Sequence, residues 1–264
     1  MAVAVPFFIN QYNFPLFHAL VEAIVVIVAS SILLVYINMR SFIDSGFFLI
    51  SAVGFLFMAA LELLHLFSFD SMGIFPGRDE NLTTQFWIAA RLYQSLALLC
   101  ATFFFQKKLR ILPVVLVQLL VFLAMLVAIY PLKIFPVYYV EGKGITWFKQ
   151  ISDILISLVF LMGLVMVLRN RKVLDPEITR LVAWAMVTNI AAEIWIVLFT
   201  DEQGIPLATG HIFEIITFFL FYRAFVKKSL EIPRKMIERL EWNQRELKAS
   251  EERFRLLYET SPLG

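Results

Sequence analysis

Three pairs of residues in this chain have the types and spacing to do chemistry. His18 and Glu22 stand four residues apart, Glu62 and His65 three apart, and His211 and Glu214 three apart. On a helix each pair shares one face. An imidazole beside a carboxylate can ligate a metal ion, hold a small polar ligand or relay a proton. The pairs use all three histidines of the 264-residue chain. All three lie in long apolar runs, where ionisable groups are expensive unless they meet partners. Arg91 adds a cation in another such run, and Asp153 and Glu193 add carboxylates. Three His and one carboxylate would complete a tetrahedral Zn site, with the remaining carboxylates and Arg91 around it. Imidazole with carboxylate suits Zn or Fe, and imidazole alone also suits Cu. A b-type haem held by two of His18, His65 and His211 is another candidate cofactor, and small organic ligands or protons are a third. One Glu or His near a membrane boundary often does no more than reach water, so the argument rests on the whole set.

The elements that position these residues are membrane helices. The chain is 60% hydrophobic and 17% charged, too few charges for a soluble surface of this size. Seven segments are long enough to cross a hydrocarbon core about 30 Å thick: 15–38, 46–67, 83–106, 111–130, 148–168, 178–200 and 207–227. The expected fold is all-α, a polytopic bundle of about seven transmembrane helices followed by a cytoplasmic coiled-coil helix. The N-terminus has no basic region before its first apolar run, so that run is expected to be a retained span. One set of connections holds Arg40, Lys107, Lys108, Arg110, Arg169, Arg171, Lys172, Arg180, Lys227 and Lys228. The opposite set holds only Arg78, Lys133, Lys143 and Lys149. The positive-inside rule then puts the N-terminus outside and the C-terminus in the cytoplasm. Tyr12, Trp87, Tyr130, Tyr138, Tyr139 and Trp147 fall where interfacial rings settle, and Trp87 is expected to be such an anchor.

Measured from the outer boundary, His18, Glu22, Glu62, His65, Arg91, Asp153, Glu193, His211 and Glu214 lie at a similar depth. The expected metal ligands are His18, Glu22, Glu62, His65, His211 and Glu214. Gln85, Trp87, Arg91, Asp153 and Glu193 are the expected ligand-binding or supporting residues. No catalytic residue is expected. Neither a Gly-rich phosphate loop nor a nucleophile elbow occurs, and nothing points to nucleic acid.

After Lys228 the composition turns to Glu, Arg, Lys and Gln. Ile237, Leu240, Leu247 and Phe254 make an imperfect heptad seam, which predicts a coiled coil and a homodimer through residues 231–258. The expected division is 1–229 membrane domain, 230–255 linker helix and 256–264 the opening of a further domain.

The segments LELLHLFSFDSMGIFP and NLTTQFWIAARLYQS resemble the third type of bacterial membrane-associated sensor domain. So do FHALVEAIVVIVASSILLV, IFPVYYVEGKGITWFKQISDILIS and GHIFEIITFFLFYRAF, in collinear order over residues 17–228. The tail SEERFRLLYETSPLG resembles the start of a PAS domain, so the chain is expected to be cut from something longer. The resemblance implies a bacterial inner-membrane input module of a sensor histidine kinase or diguanylate cyclase. It also implies that His18, Glu22, Glu62, His65, Gln85, Trp87, Arg91, Glu193, His211 and Glu214 are the characteristic polar positions. The expected function is to sense a metal ion or small ligand in the His/Glu layer. An intramembrane metal hydrolase is the alternative from a different class, and a haem-based redox or gas sensor is another.

Overall fold

The computed structural model describes residues 13–40, 45–69, 72, 74, 79–198 and 205–259. Tyr12, Arg78 and the last five residues of the PAS-like tail lie outside them. The chain forms two compact units, residues Met1–Phe225 and Val226–Gly264.

Seven helices are long and apolar enough to cross a membrane. They are α1 (Phe14–Met39), α2 (Gly46–Ser68), α3 (Glu80–Ala101), α4 (Ile111–Ile129), α5 (Trp147–Arg169), α6 (Pro176–Leu198) and α7 (Ile205–Glu259). The fold is an all-α polytopic bundle, as expected. Lipid offers the backbone no hydrogen bonds, so each span must satisfy its own. Side chains cap the starts of α1 and α3. Asn13 caps α1 by accepting from the Leu16 N–H at 3.1 Å, with Pro15 in the first turn. Asp79 caps α3 in the same way through the Leu82 N–H at 2.9 Å. A single 3-10 turn, Thr102–Phe104, ends α3.

The centre of the bundle is α2, with 72% of its apolar window buried, against 6% for α4. Helix α2 packs on α3 and α1, α5 packs on α6 and α3, and α4 lies against α2 and α3. Aromatic contacts join α2 to α7, with Phe55 against Phe218 and Phe221, and Phe48 against Phe225. At Gly54 the backbones come close: an added Cβ would lie 2.8 Å from the Ala97 Cβ. Beside it Gln118 ties α4 inward. Its Nε2 donates to the Ile50 carbonyl at 3.0 Å, and its own carbonyl and side-chain oxygens accept from the Tyr93 hydroxyl.

Between α4 and α5 the chain makes a small antiparallel hairpin of β1 (Tyr139–Val140) and β2 (Gly144–Ile145). Its turn needs the positive φ of Gly142 and Gly144, 75° and 78°. The start of α3 holds this connection in place. Asn81 Oδ1 accepts from the Tyr138 and Tyr139 N–H groups, and Gln85 Nε2 donates to the Phe135 and Pro136 carbonyls. Tyr138 is buried, and that burial raises the pKa of its hydroxyl above the ordinary tyrosine value. In the second unit the helix is exposed from Met236 to Glu259, including Ile237, Leu240, Leu247 and Phe254.

Candidate ligand site

The three spaced pairs meet. Chain direction alternates between neighbouring spans, so the start of α1, the end of α2, the start of α3, the end of α6 and the start of α7 lie at one end of the bundle. Residues one to three turns inside those ends share one level. His18, Glu22, Glu62, His65, Arg91, Asp153, Glu193, His211 and Glu214 are all buried there.

His18 stands between the other two imidazoles, with ring centroids 5.2 Å from His65 and 5.1 Å from His211. Phe69 stacks on it at 4.5 Å. His65 Nδ1 lies 2.9 Å from the Thr83 carbonyl. A carbonyl only accepts, so Nδ1 carries the hydrogen, and the Nε2 of the neutral ring is a lone pair. That lone pair faces His18 Nε2 at 3.3 Å. Thr83 makes a second tie to α2 through its hydroxyl, which donates to the Ser68 carbonyl at 2.8 Å. On the other side of His18, His211 Nδ1 is 3.2 Å from Glu22 Oε1 and 3.5 Å from Glu214 Oε2. Glu22 Oε1 is 3.7 Å from His18 Nε2.

Arg91 closes the layer from α3. Its guanidinium donates to Glu62 Oε1 at 2.7 Å, to Glu214 Oε1 and to Gln94 Oε1 at 3.2 Å. One cation thus ties α2, α3 and α7. A second pair stands on α5, where Lys149 Nζ is 2.7 Å from Asp153 Oδ2. Glu193 on α6 is within electrostatic reach of Arg91, Asp153 and Lys149. Trp87 lies between the two cations, with its ring 5.8 Å from the Arg91 guanidinium and 4.6 Å from Lys149 Nζ.

Trp87 is therefore no interfacial anchor: it is buried against charge. Lys149, read from the sequence as a loop charge, is a buried ion-pair partner on the first turn of α5. Its i,i+4 spacing to Asp153 was the available signal. Thr83, Phe69 and Asn81 also went unread, because backbone carbonyls, ring stacking and loop clamps leave no spacing pattern. Gln85 does not join the layer and serves the hairpin connection.

Among the described residues the layer buries five carboxyl groups, Glu22, Glu62, Asp153, Glu193 and Glu214, against two fixed cations, Arg91 and Lys149. Carboxylates in such surroundings need protons or further cations beside them. One carboxylate oxygen each from Glu22, Glu62 and Glu214 lie within 4.8 Å of one another, and so do ligand atoms of His18, Glu22 and His211. Glu22 belongs to both groups. Glu22 Oε2 and Glu62 Oε2 have no hydrogen-bond partner among the described residues.

Seven apolar helices closed around an ionisable layer define a multi-pass membrane protein with an internal polar site. Residues 9–233 match the MASE3 family, described as a membrane-associated sensor domain, and the chain belongs to that family. No curated protein and no solved structure matches it.

Proposed function

We propose that this chain is the input module of a bacterial signalling protein and receives a metal ion or small ligand in the His/Glu layer. The observation that carries this reading is the dual role of α7. It supplies His211 and Glu214 to the layer and runs on to Glu259. A ligand that prefers one arrangement of the layer shifts the population of bundle states by the difference in its affinities. A displacement of α7 at the layer then travels along the same helix towards a dimeric coiled coil at residues 231–258 and an output domain, a histidine kinase or diguanylate cyclase. The module sits in the bacterial inner membrane, N-terminus outside and C-terminus in the cytoplasm. The basic residues clustered in the connections at the end of the bundle away from the layer support that orientation. The ligand enters from outside, because the layer lies only one to three turns from that face.

The test uses full-length protein and an assay of output activity. His211→Ala is expected to abolish the stimulus response while basal output survives. A response equal to that of the wild type would exclude the route through α7.

A further inference from the structure

His18, Glu22 and His211 bring three ligand atoms within 4.8 Å of one another. We propose that His18, Glu22 and His211 hold a single divalent transition-metal ion of the Zn class, with His65 beside His18 at its edge, an inference that rests on reading this layer as the ligand site of the sensor. Two ligands about 2.0–2.1 Å from a tetrahedral metal stand about 3.3–3.4 Å apart. The corresponding separations here are 3.2 Å from His211 Nδ1 to Glu22 Oε1 and 3.7 Å from Glu22 Oε1 to His18 Nε2, and the three ligand atoms all lie within 4.8 Å of one another.

Two further observations point the same way. His65 gives its Nδ1–H to the Thr83 carbonyl. Metal-bound histidines do the same, since the outer hydrogen bond fixes the tautomer and aims the other lone pair. The aimed atom, Nε2, lies 3.3 Å from His18 Nε2, a ligand atom of the site. Glu22, fully buried, presents Oε1 to both His211 and His18 and so stands at the centre of the trio.

The donor set selects the metal. Imidazole nitrogen with a single carboxylate suits Zn and its neighbours in the first row, whereas Mg and Ca prefer all-oxygen shells. The neighbouring trio of Glu22, Glu62 and Glu214 is richer in oxygen, but Arg91 already pairs with Glu62 and Glu214. A second ion there would lie against the guanidinium. The site therefore takes one ion, with Arg91 standing as the fixed cation beside it.

The test is metal stoichiometry in the purified full-length protein. The protein is stripped with chelator, equilibrated with Zn²⁺, dialysed and analysed for metal, and a parallel sample takes Co²⁺ for its visible spectrum. Wild type is expected to hold about one ion per chain and to give the strong visible bands of four-coordinate Co²⁺. His18→Ala, His211→Ala and Glu22→Gln should lose the ion and the bands while keeping wild-type elution and helical content. Glu62→Gln should keep the spectrum and bind about 10–100-fold more weakly. Cys100→Ser should bind as the wild type does, which excludes a thiol ligand. Wild type that binds no ion, or full stoichiometry in His18→Ala and His211→Ala, overturns the proposal. If no ion binds but His211→Ala still abolishes the output response, the sensor reading stands and its ligand is not a metal. If the ion binds as described but the response is untouched, the metal site stands and the sensor reading fails.

Discussion

Arg91 has no water to fall back on. Its guanidinium meets Glu62, Glu214 and Gln94 in a fully buried setting. Removing one partner of such a pair leaves an uncompensated charge. Arg91→Leu should therefore cost about 3–5 kcal/mol, measured by thermal unfolding in detergent. Arg91→Lys should cost less but still destabilise, because an ammonium lacks the fork that reaches two carboxylates at once. If Arg91→Leu unfolds like the wild type, the guanidinium does not hold the layer together. Much of this residue-level picture is legible in the sequence. Spacings of three and four within apolar runs give the His/Glu pairs, and distance from the span ends gives their common depth. Direction around each helix axis is not legible. For that reason Trp87 reads as an anchor and Lys149 as a loop charge, when both face inward beside Arg91 and Asp153.

Helix identity and helix environment separate at the next scale. All seven spans are visible as apolar runs, and their ends shift by only a few residues. Hydropathy does not reveal that α2 is enclosed while α4 is peripheral, since both runs are strongly apolar. The difference comes from small residues and polar ties. Gly54 lets α2 approach Ala97 of α3, so Gly54→Val should overpack the contact and cost about 1–3 kcal/mol, again read by thermal unfolding. Gln118 is the polar tie between α4 and the centre. Gln118→Leu should loosen α4 by about 0.6 kcal/mol, up to about 1.7, the range for interhelical hydrogen bonds in membranes. Faster hydrogen exchange confined to α4 would be the sign of it, and unchanged exchange there would count against the tie. The hairpin escapes sequence reading for another reason. Its place depends on Asn81 and Gln85, two polar residues on the first turns of α3 that carry no pattern of their own.

At the scale of the whole chain, the abrupt change of composition after Lys228 falls close to the boundary between the two units at Val226. Ile237, Leu240, Leu247 and Phe254 expose 56%, 59%, 61% and 75% of their surface in the single chain. The proposed coiled coil would bury these side chains against a second copy. Leu247→Glu should abolish crosslinking between copies through cysteines placed in the second unit, and persistent crosslinking would show that the seam is not the interface. The placement of α4 has a different consequence. It is the shortest span, 19 residues or about 28 Å at about 1.5 Å per residue, while the other spans contain 22 to 26. Longer helices absorb a thinner or thicker bilayer by tilting, but a helix already at the minimum has no length to spare. In thick, sterol-like lipid the mismatch falls first on α4 and, through Gln118 and Tyr93, on the helix that carries Arg91. The output of this sensor domain should then depend on lipid chain length.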